Sequence, residues 1–171
     1  GHSQNDCYSP SNYDNKYVGP INLRNALAQS RNIPAVKVLY LAGIKDAITV
    51  ARNMGISTLT DASVYGLTLV LGGGEVSLLD MTSAYSTFAT AGIHHDPTGI
   101  ISVTDEDGVT LETYTDSSKT AIPKNTALMI SDILSDNTAR TPLFGANSFL
   151  YFPGHEVAGK TGTTNNNKDA W

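Results

Sequence analysis

Residues 154 to 164 read GHEVAGKTGTT, and within them Gly154 to Thr161 satisfies G-x-x-x-x-G-K-T. That spacing belongs to loops whose backbone N–H groups cradle phosphates while the lysine reaches the terminal ones. Such a loop works when a strand feeds it, a helix N-terminus follows the Lys-Thr pair, and a further acidic group holds magnesium. Here Lys160-Thr161 is followed by GTTNNNKDAW, in which glycine, threonine and three consecutive asparagines oppose a helix. Those ten residues also hold no second strand to deliver the acid. The letters fit nucleotide binding, and their context argues against it.

The same letters contain Lys160-Thr161-Gly162, a K-T-G triplet, and far upstream Ser30-Arg31-Asn32 is an S-x-N triplet. Together with S-x-x-K these make up the signature of penicillin-binding proteins and class A β-lactamases. Each triplet alone has a plainer reading: Ser30 and Asn32 as a helix stop and a helix cap, Lys160 as a solvated surface lysine. The flanks change the balance. INLRNALAQSRNIPAVKVLYLAGI resembles the region around S-x-N in the bifunctional, class A penicillin-binding proteins. LGGGEVSLLDMTSAYSTFATAGI resembles the segment leading from the second motif toward the third, and AGKTGTTNNNKDAW resembles the third-motif strand and the start of the next one. The resemblance runs from Tyr17 to Trp171.

The resemblance implies an α+β chain with part of the penicillin-binding/β-lactamase-like transpeptidase fold, mostly helical, with an antiparallel hairpin and a K-T-G strand. It implies acyl transfer: a serine attacks the D-Ala-D-Ala amide of a peptidoglycan stem peptide, releases D-alanine and passes the acyl group to another stem's amine. That chemistry needs an activated nucleophile, a proton relay, an oxyanion hole and a cation for the terminal carboxylate. By resemblance, Ser30 relays a proton toward the leaving amine, Asn32 holds the substrate amide and Lys160 supplies positive potential. Thr161 and Thr163 offer hydroxyls to the carboxylate, the Thr163 N–H is one oxyanion donor, and Gly162 lets the substrate approach closely. Arg31, at the variable position, is given no role. The implied partners are stem peptides and β-lactams. The implied location is extracytoplasmic, in a membrane-anchored parent that also carries a glycosyltransferase domain, and no cofactor or metal is implied.

One departure stands out: no Ser or Thr is followed three positions later by Lys, so neither S-x-x-K nor T-x-x-K occurs. In the family that motif supplies the nucleophile and precedes S-x-N, so the chain is expected to start after it, to stop before the closing strands and last helix of the sheet, and to be inactive alone. A non-catalytic binding or scaffold module of the same fold, a D,D-carboxypeptidase and a β-lactamase relative remain open on the motifs alone.

The elements that must position these residues follow from pattern. With 171 residues, 40% of them hydrophobic, the chain can bury a core, and its formal charge of −5 argues against nucleic acid or anionic membrane as partner. Cys7 is the single cysteine, which excludes an internal disulfide, and Gly1-His2-Ser3 is either native or a cloning remnant. Residues 1–20 read as irregular. Residues 21–92 read as a helical region: a helix from Ile21 to about Ser30, a second starting near Pro34 and ending at Gly43, and a third over Lys45 to Asn53 stopped by Gly55. Within that region LTLVL opens like a strand, GGG turns, and Ser77 with Asp80 resembles a capping box for a helix closed by Gly92. The three glycines do not match a dinucleotide site, for which G-x-G-x-x-G and a later acidic residue are required. Residues 97–115 read as a hairpin around Asp107-Gly108, residues 125–137 as a helix capped by Asn125, 138–154 as loop and 155–164 as a strand. His94-His95 reads as polar loop, since adjacent histidines point apart and no thiol or carboxylate set is spaced to join them.

Overall fold

The structure is a computed structural model that describes residues 8–163. Cys7, Gly1 to Ser3 and the last residue of the 155–164 segment lie outside the described residues. Two compact units form, one from residues up to Ala47, Asp61–Glu75 and Ser131 onward, the other from Ile48–Thr60 and Val76–Ile130.

In the first unit α1 (Leu23–Ala28) starts on Asn22, whose Oδ1 accepts from the N–H of Asn25 at 2.8 Å. It stops because the N–H of Ser30 bonds to the Leu27 carbonyl at 3.0 Å and that of Arg31 to the Ala26 carbonyl at 2.9 Å. This double bond pattern turns the chain back on the helix end and leaves one residue left-handed. α2 (Asn32–Ala42) follows at once, two residues before the expected start, so Pro34 sits in the first turn rather than opening it. Gly43, at φ +86°, separates α2 from α3 (Ile44–Asn53). Leu67–Leu71, read as a strand, is a 3-10 helix lying against α2 and closed by left-handed Gly72. Its alternating leucines suit a strand, but a strand needs a partner, and the Gly72 and Gly73 N–H groups instead close the turn on Leu69 and Thr68.

Residues 138–154 are not all loop. Asp136 caps α6 (Asn137–Phe144), its Oδ1 accepting from the N–H of Ala139 at 2.9 Å. Pro142 inside it hid the helix from pattern reading, because proline removes an N–H and opposes a helix interior. Tertiary contact makes up for it: α6 packs on α1, Ala139 and Arg140 are buried, and Gln29 Nε2 donates to the Ala139 carbonyl at 3.1 Å.

The second unit buries Met54, Ala84, Ile122 and Ala127, with Phe88 and Ile56 against them. Ala84 and Phe88 come from α4 (Leu78–Ala89), capped by Ser77 Oγ on the Asp80 N–H at 3.0 Å. The capping box is half made. The Asp80 carboxylate turns instead to Ser57, accepting from its N–H at 2.8 Å and its hydroxyl at 2.7 Å. β1 (Ile93–His94) pairs antiparallel with β4 (Lys119–Thr120), and β2 (Ser102–Thr104) with β3 (Thr110–Thr113), with a bulge between Val103 and Thr104. The hairpin turn is held by Asp105, whose Oδ1 accepts from the N–H groups of Asp107 and Val109, while Gly108 takes φ +79°. α5 (Lys124–Ser135) starts one residue before Asn125, with the Pro123 carbonyl accepting from Ala127, so Asn125 is in the first turn and not its cap. His94, read as loop, is a buried strand residue whose Nε2 lies 3.2 Å from Asp96 Oδ1; His95 lies 2.9 Å from Asp116 Oδ1. A strand alternates faces, so one histidine of the pair turns inward. Among the described residues no helix is long and apolar enough to cross a membrane.

Candidate active site

Ser30 stands where a helix-ending turn demands a left-handed residue. Its φ is +53°, a conformation in which a Cβ crowds the backbone and which glycine occupies at no steric cost. The position therefore carries a hydroxyl at the expense of local strain, a pattern that clusters at functional sites. Asn32 opens α2 two residues on, and its Nδ2 donates to the Ser11 carbonyl at 2.9 Å. Between them Arg31 is buried, with Nη1 3.1 and 2.9 Å from the two oxygens of Asp14. Arg31 also reaches Gln29 Oε1, from Nε at 3.4 Å and from Nη2 at 3.3 Å.

Lys160 comes from the other end of the chain. The Gly159 N–H donates to the Leu134 carbonyl at 3.0 Å, at the end of α5. Arg140 of α6 donates to the same carbonyl through Nη2 and to the Leu150 carbonyl through Nη1 at 3.3 Å. Gly159 suits this close passage, since a Cβ there would meet Leu150 Cδ2 at 3.3 Å. The segment read as a strand over 155–163 has no ladder up to Gly162; Thr163 alone makes a β-bridge. The reason is pairing: a strand exists by its neighbour's hydrogen bonds, and the ladders among the described residues are β1 with β4 and β2 with β3. Thr161 and Gly162 are half-buried and Thr163 is exposed. No helix opens at Thr161, which removes the geometry a phosphate loop requires.

These paths meet. Lys160 Nζ donates to Ser30 Oγ at 2.7 Å, across a separation of 130 residues, and to the Thr161 carbonyl at 2.6 Å. Burial holds the Lys160 ammonium below the usual lysine range, because taking the charge out of water disfavours it. A lysine so lowered, in contact with a hydroxyl, is suited to exchanging a proton through it. Ser30 and Lys160 are thus brought together, Asn32 lies at the same turn, and Thr161 to Thr163 continue from Lys160. Pattern reading missed Arg31, Asp14 and Arg140. Arg31 sits beside a motif residue, but no periodicity pairs positions 14 and 31, or places 140 beneath 159.

Against known proteins, the family described as penicillin binding protein transpeptidase domain matches residues 1–170. The chain is 41% identical over 155 residues to penicillin-binding protein 1A/1B of Bacillus subtilis, spanning 90% of this chain and 16% of that protein. It is 35% identical over 173 residues to penicillin-binding protein 1A of Aquifex aeolicus, spanning 99% of this chain and 22% of that one. The chain therefore spans less than a quarter of these curated relatives. Among solved structures, penicillin-binding protein PonA1 of Mycobacterium tuberculosis superposes with a TM-score of 0.78 at 27% identity, over 95% of this chain and 46% of that one. The imipenem acyl-enzyme complex of penicillin-binding protein A from M. tuberculosis shares the fold, with a TM-score of 0.70 at 20% identity over 90% of this chain and 39% of that one. By family match, by curated relatives of class A type and by fold, the chain belongs to the penicillin-binding protein transpeptidases.

Proposed function

We propose that this chain is the S-x-N and K-T-G part of a peptidoglycan D,D-transpeptidase that β-lactams acylate. A serine hydroxyl from an S-x-x-K segment outside these residues gives its proton to the lysine of that segment and attacks the penultimate D-Ala carbonyl. The C–N bond to the terminal D-Ala breaks, an ester to the serine forms, and the released amine takes a proton. Ser30 hands over that proton and is recharged from Lys160, whose lowered proton affinity suits the transfer. The acceptor stem's amine then attacks the ester and the proton path runs in reverse. Asn32 holds the stem's amide, Lys160 with Thr161 and Thr163 attracts the terminal carboxylate, and the Thr163 N–H is one of two oxyanion donors. The parent works outside the cytoplasm, anchored to the membrane beside a glycosyltransferase domain.

The observation that carries this reading is the 2.7 Å contact between Lys160 Nζ and Ser30 Oγ. Two motifs at opposite ends of a sequence have no structural need to touch. The experiment is labelling by a fluorescent penicillin, read by intact-mass spectrometry. The 171-residue chain stays unlabelled, and the full-length gene product is labelled at the serine of its S-x-x-K. A stoichiometric adduct on Ser30 overturns the relay assignment, and a full-length product that is folded but unlabelled points to a scaffold module. Asn32→Ala in the labelled protein slows acylation on the order of 100-fold, the usual loss when one preorganised group is removed; a rate within threefold of the parent refutes its role.

A further inference from the structure

Three consecutive residues of the S-x-N turn are each gripped by the irregular segment that precedes α1. Arg31 receives the Asp14 carboxylate on Nη1 at 3.1 and 2.9 Å, Asn32 donates to the Ser11 carbonyl at 2.9 Å, and the Ile33 N–H makes a long bond of 3.4 Å to Asn12 Oδ1. The gripping segment is itself closed. The Asn15 N–H bonds to the Asn12 carbonyl at 2.9 Å, Asn12 Nδ2 to the Lys16 carbonyl at 2.8 Å, and the Lys16 N–H to Asp14 Oδ1 at 3.0 Å. Asn15 adopts φ +53° to make this turn.

A reason for the grip lies in α2. Its N-cap residue, Arg31, makes no side-chain bond to the first-turn N–H groups, so a helix start that local sequence normally satisfies is served from 21 residues away. On the other side Arg31 holds Gln29 Oε1, and Gln29 Nε2 holds the α6 carbonyl of Ala139. Ser30, in its strained left-handed conformation, is thereby fixed between two tethered neighbours. The side chains of Arg31 and Asp14 are 6% and 21% exposed, so the pair is shielded enough to define one geometry. Nη1 takes both Asp14 oxygens while Nε and Nη2 hold Gln29 Oε1, so the planar guanidinium is fixed in orientation as well as distance by its two partners.

We infer that Arg31 and Asp14 are positioning residues of the transpeptidase site, a strap that sets the angle at which Ser30 and Asn32 face the K-T-G segment. The inference rests on the proposed acyl transfer for its kinetic readout. Neither residue touches the reacting atoms; both act through the turn, and small displacements of relay groups are costly.

The test is a double-mutant cycle in the full-length gene product, with Asp14→Asn, Arg31→Met and the pair together, reading the second-order rate of labelling by fluorescent penicillin. Each single variant slows acylation on the order of tenfold, and the double variant is no slower than the worse single one, because both lesions break one strap. Arg31→Lys, which keeps the charge without the fork, recovers part of the rate. In parallel, amide exchange by NMR on the 171-residue chain shows Ser30, Arg31 and Ile33 exchanging at least tenfold faster in Asp14→Asn, with α4 unchanged. Rates within twofold of the parent, multiplicative losses, or acceleration spread equally over α4 overturn the strap. If the full-length product is not acylated at all, the function reading fails and the exchange measurement decides the strap alone: unchanged protection at residues 30, 31 and 33 overturns it.

Discussion

Replacing Ser30 by glycine and by alanine separates what the hydroxyl does from what the backbone costs. Both substitutions remove the 2.7 Å bond from Lys160 Nζ, a loss of about 1.5–3 kcal/mol for a hydrogen bond to a charged group. Alanine keeps a Cβ at φ +53°, so its variant keeps the strain and loses the bond. Glycine sheds a strain of about 1–2 kcal/mol, which offsets part of the lost bond. Allowing about 0.5 kcal/mol for the extra freedom of an unfolded glycine, Ser30→Gly is more stable than Ser30→Ala by about 1 kcal/mol. With a urea slope of about 2 kcal/mol per molar, the midpoints differ by about 0.5 M. Unfolding followed by circular dichroism reads this directly. In the full-length protein both variants lose acylation alike, since neither has a proton to relay. Equal midpoints, or alanine the more stable of the two, refute the strain argument; a glycine variant that acylates within threefold of the parent refutes the relay.

Lys160→Met isolates the buried charge. Between the lowered proton affinity of folded Lys160 and the ordinary lysine value, the unfolded chain binds the proton and the folded chain does not, so parent stability rises with pH across that window. The methionine variant lacks this rise and at neutral pH is as stable as the parent, which paired denaturation curves from pH 7 to 10.5 check, while in the full-length product its acylation, read by fluorescent-penicillin labelling, falls on the order of 100-fold. Gly92→Ala costs more than about 2 kcal/mol, because Gly92 sits at φ +99° and a Cβ there overlaps the Ile122 carbonyl oxygen, a clash that thermal unfolding of the second unit registers. Calorimetry with magnesium-ATP detects no micromolar binding, since Thr161 opens no helix.

Short-range chemistry was legible in the sequence. Ser77 caps α4 because a hydroxyl before an apolar helical run satisfies a free N–H, and Asp105 to Gly108 turn the hairpin because glycine accepts positive φ. The two triplets and their flanks indicated the family, since they record chemistry rather than conformation. Elements whose stability comes from a distant partner were not legible. α6 forms around a proline because α1 covers it, Leu67–Leu71 coils against α2, and residues 155–162 find no strand partner among the described residues. His94 is inward and His95 outward only because β1 pairs with β4. The contact of Lys160 with Ser30, and the grip of Asp14 on Arg31, join residues 130 and 17 positions apart. Hydrophobic period and local propensity reach over a few residues, whereas such pairings are fixed by which surfaces the packed chain brings together, so the tertiary structure alone decided them.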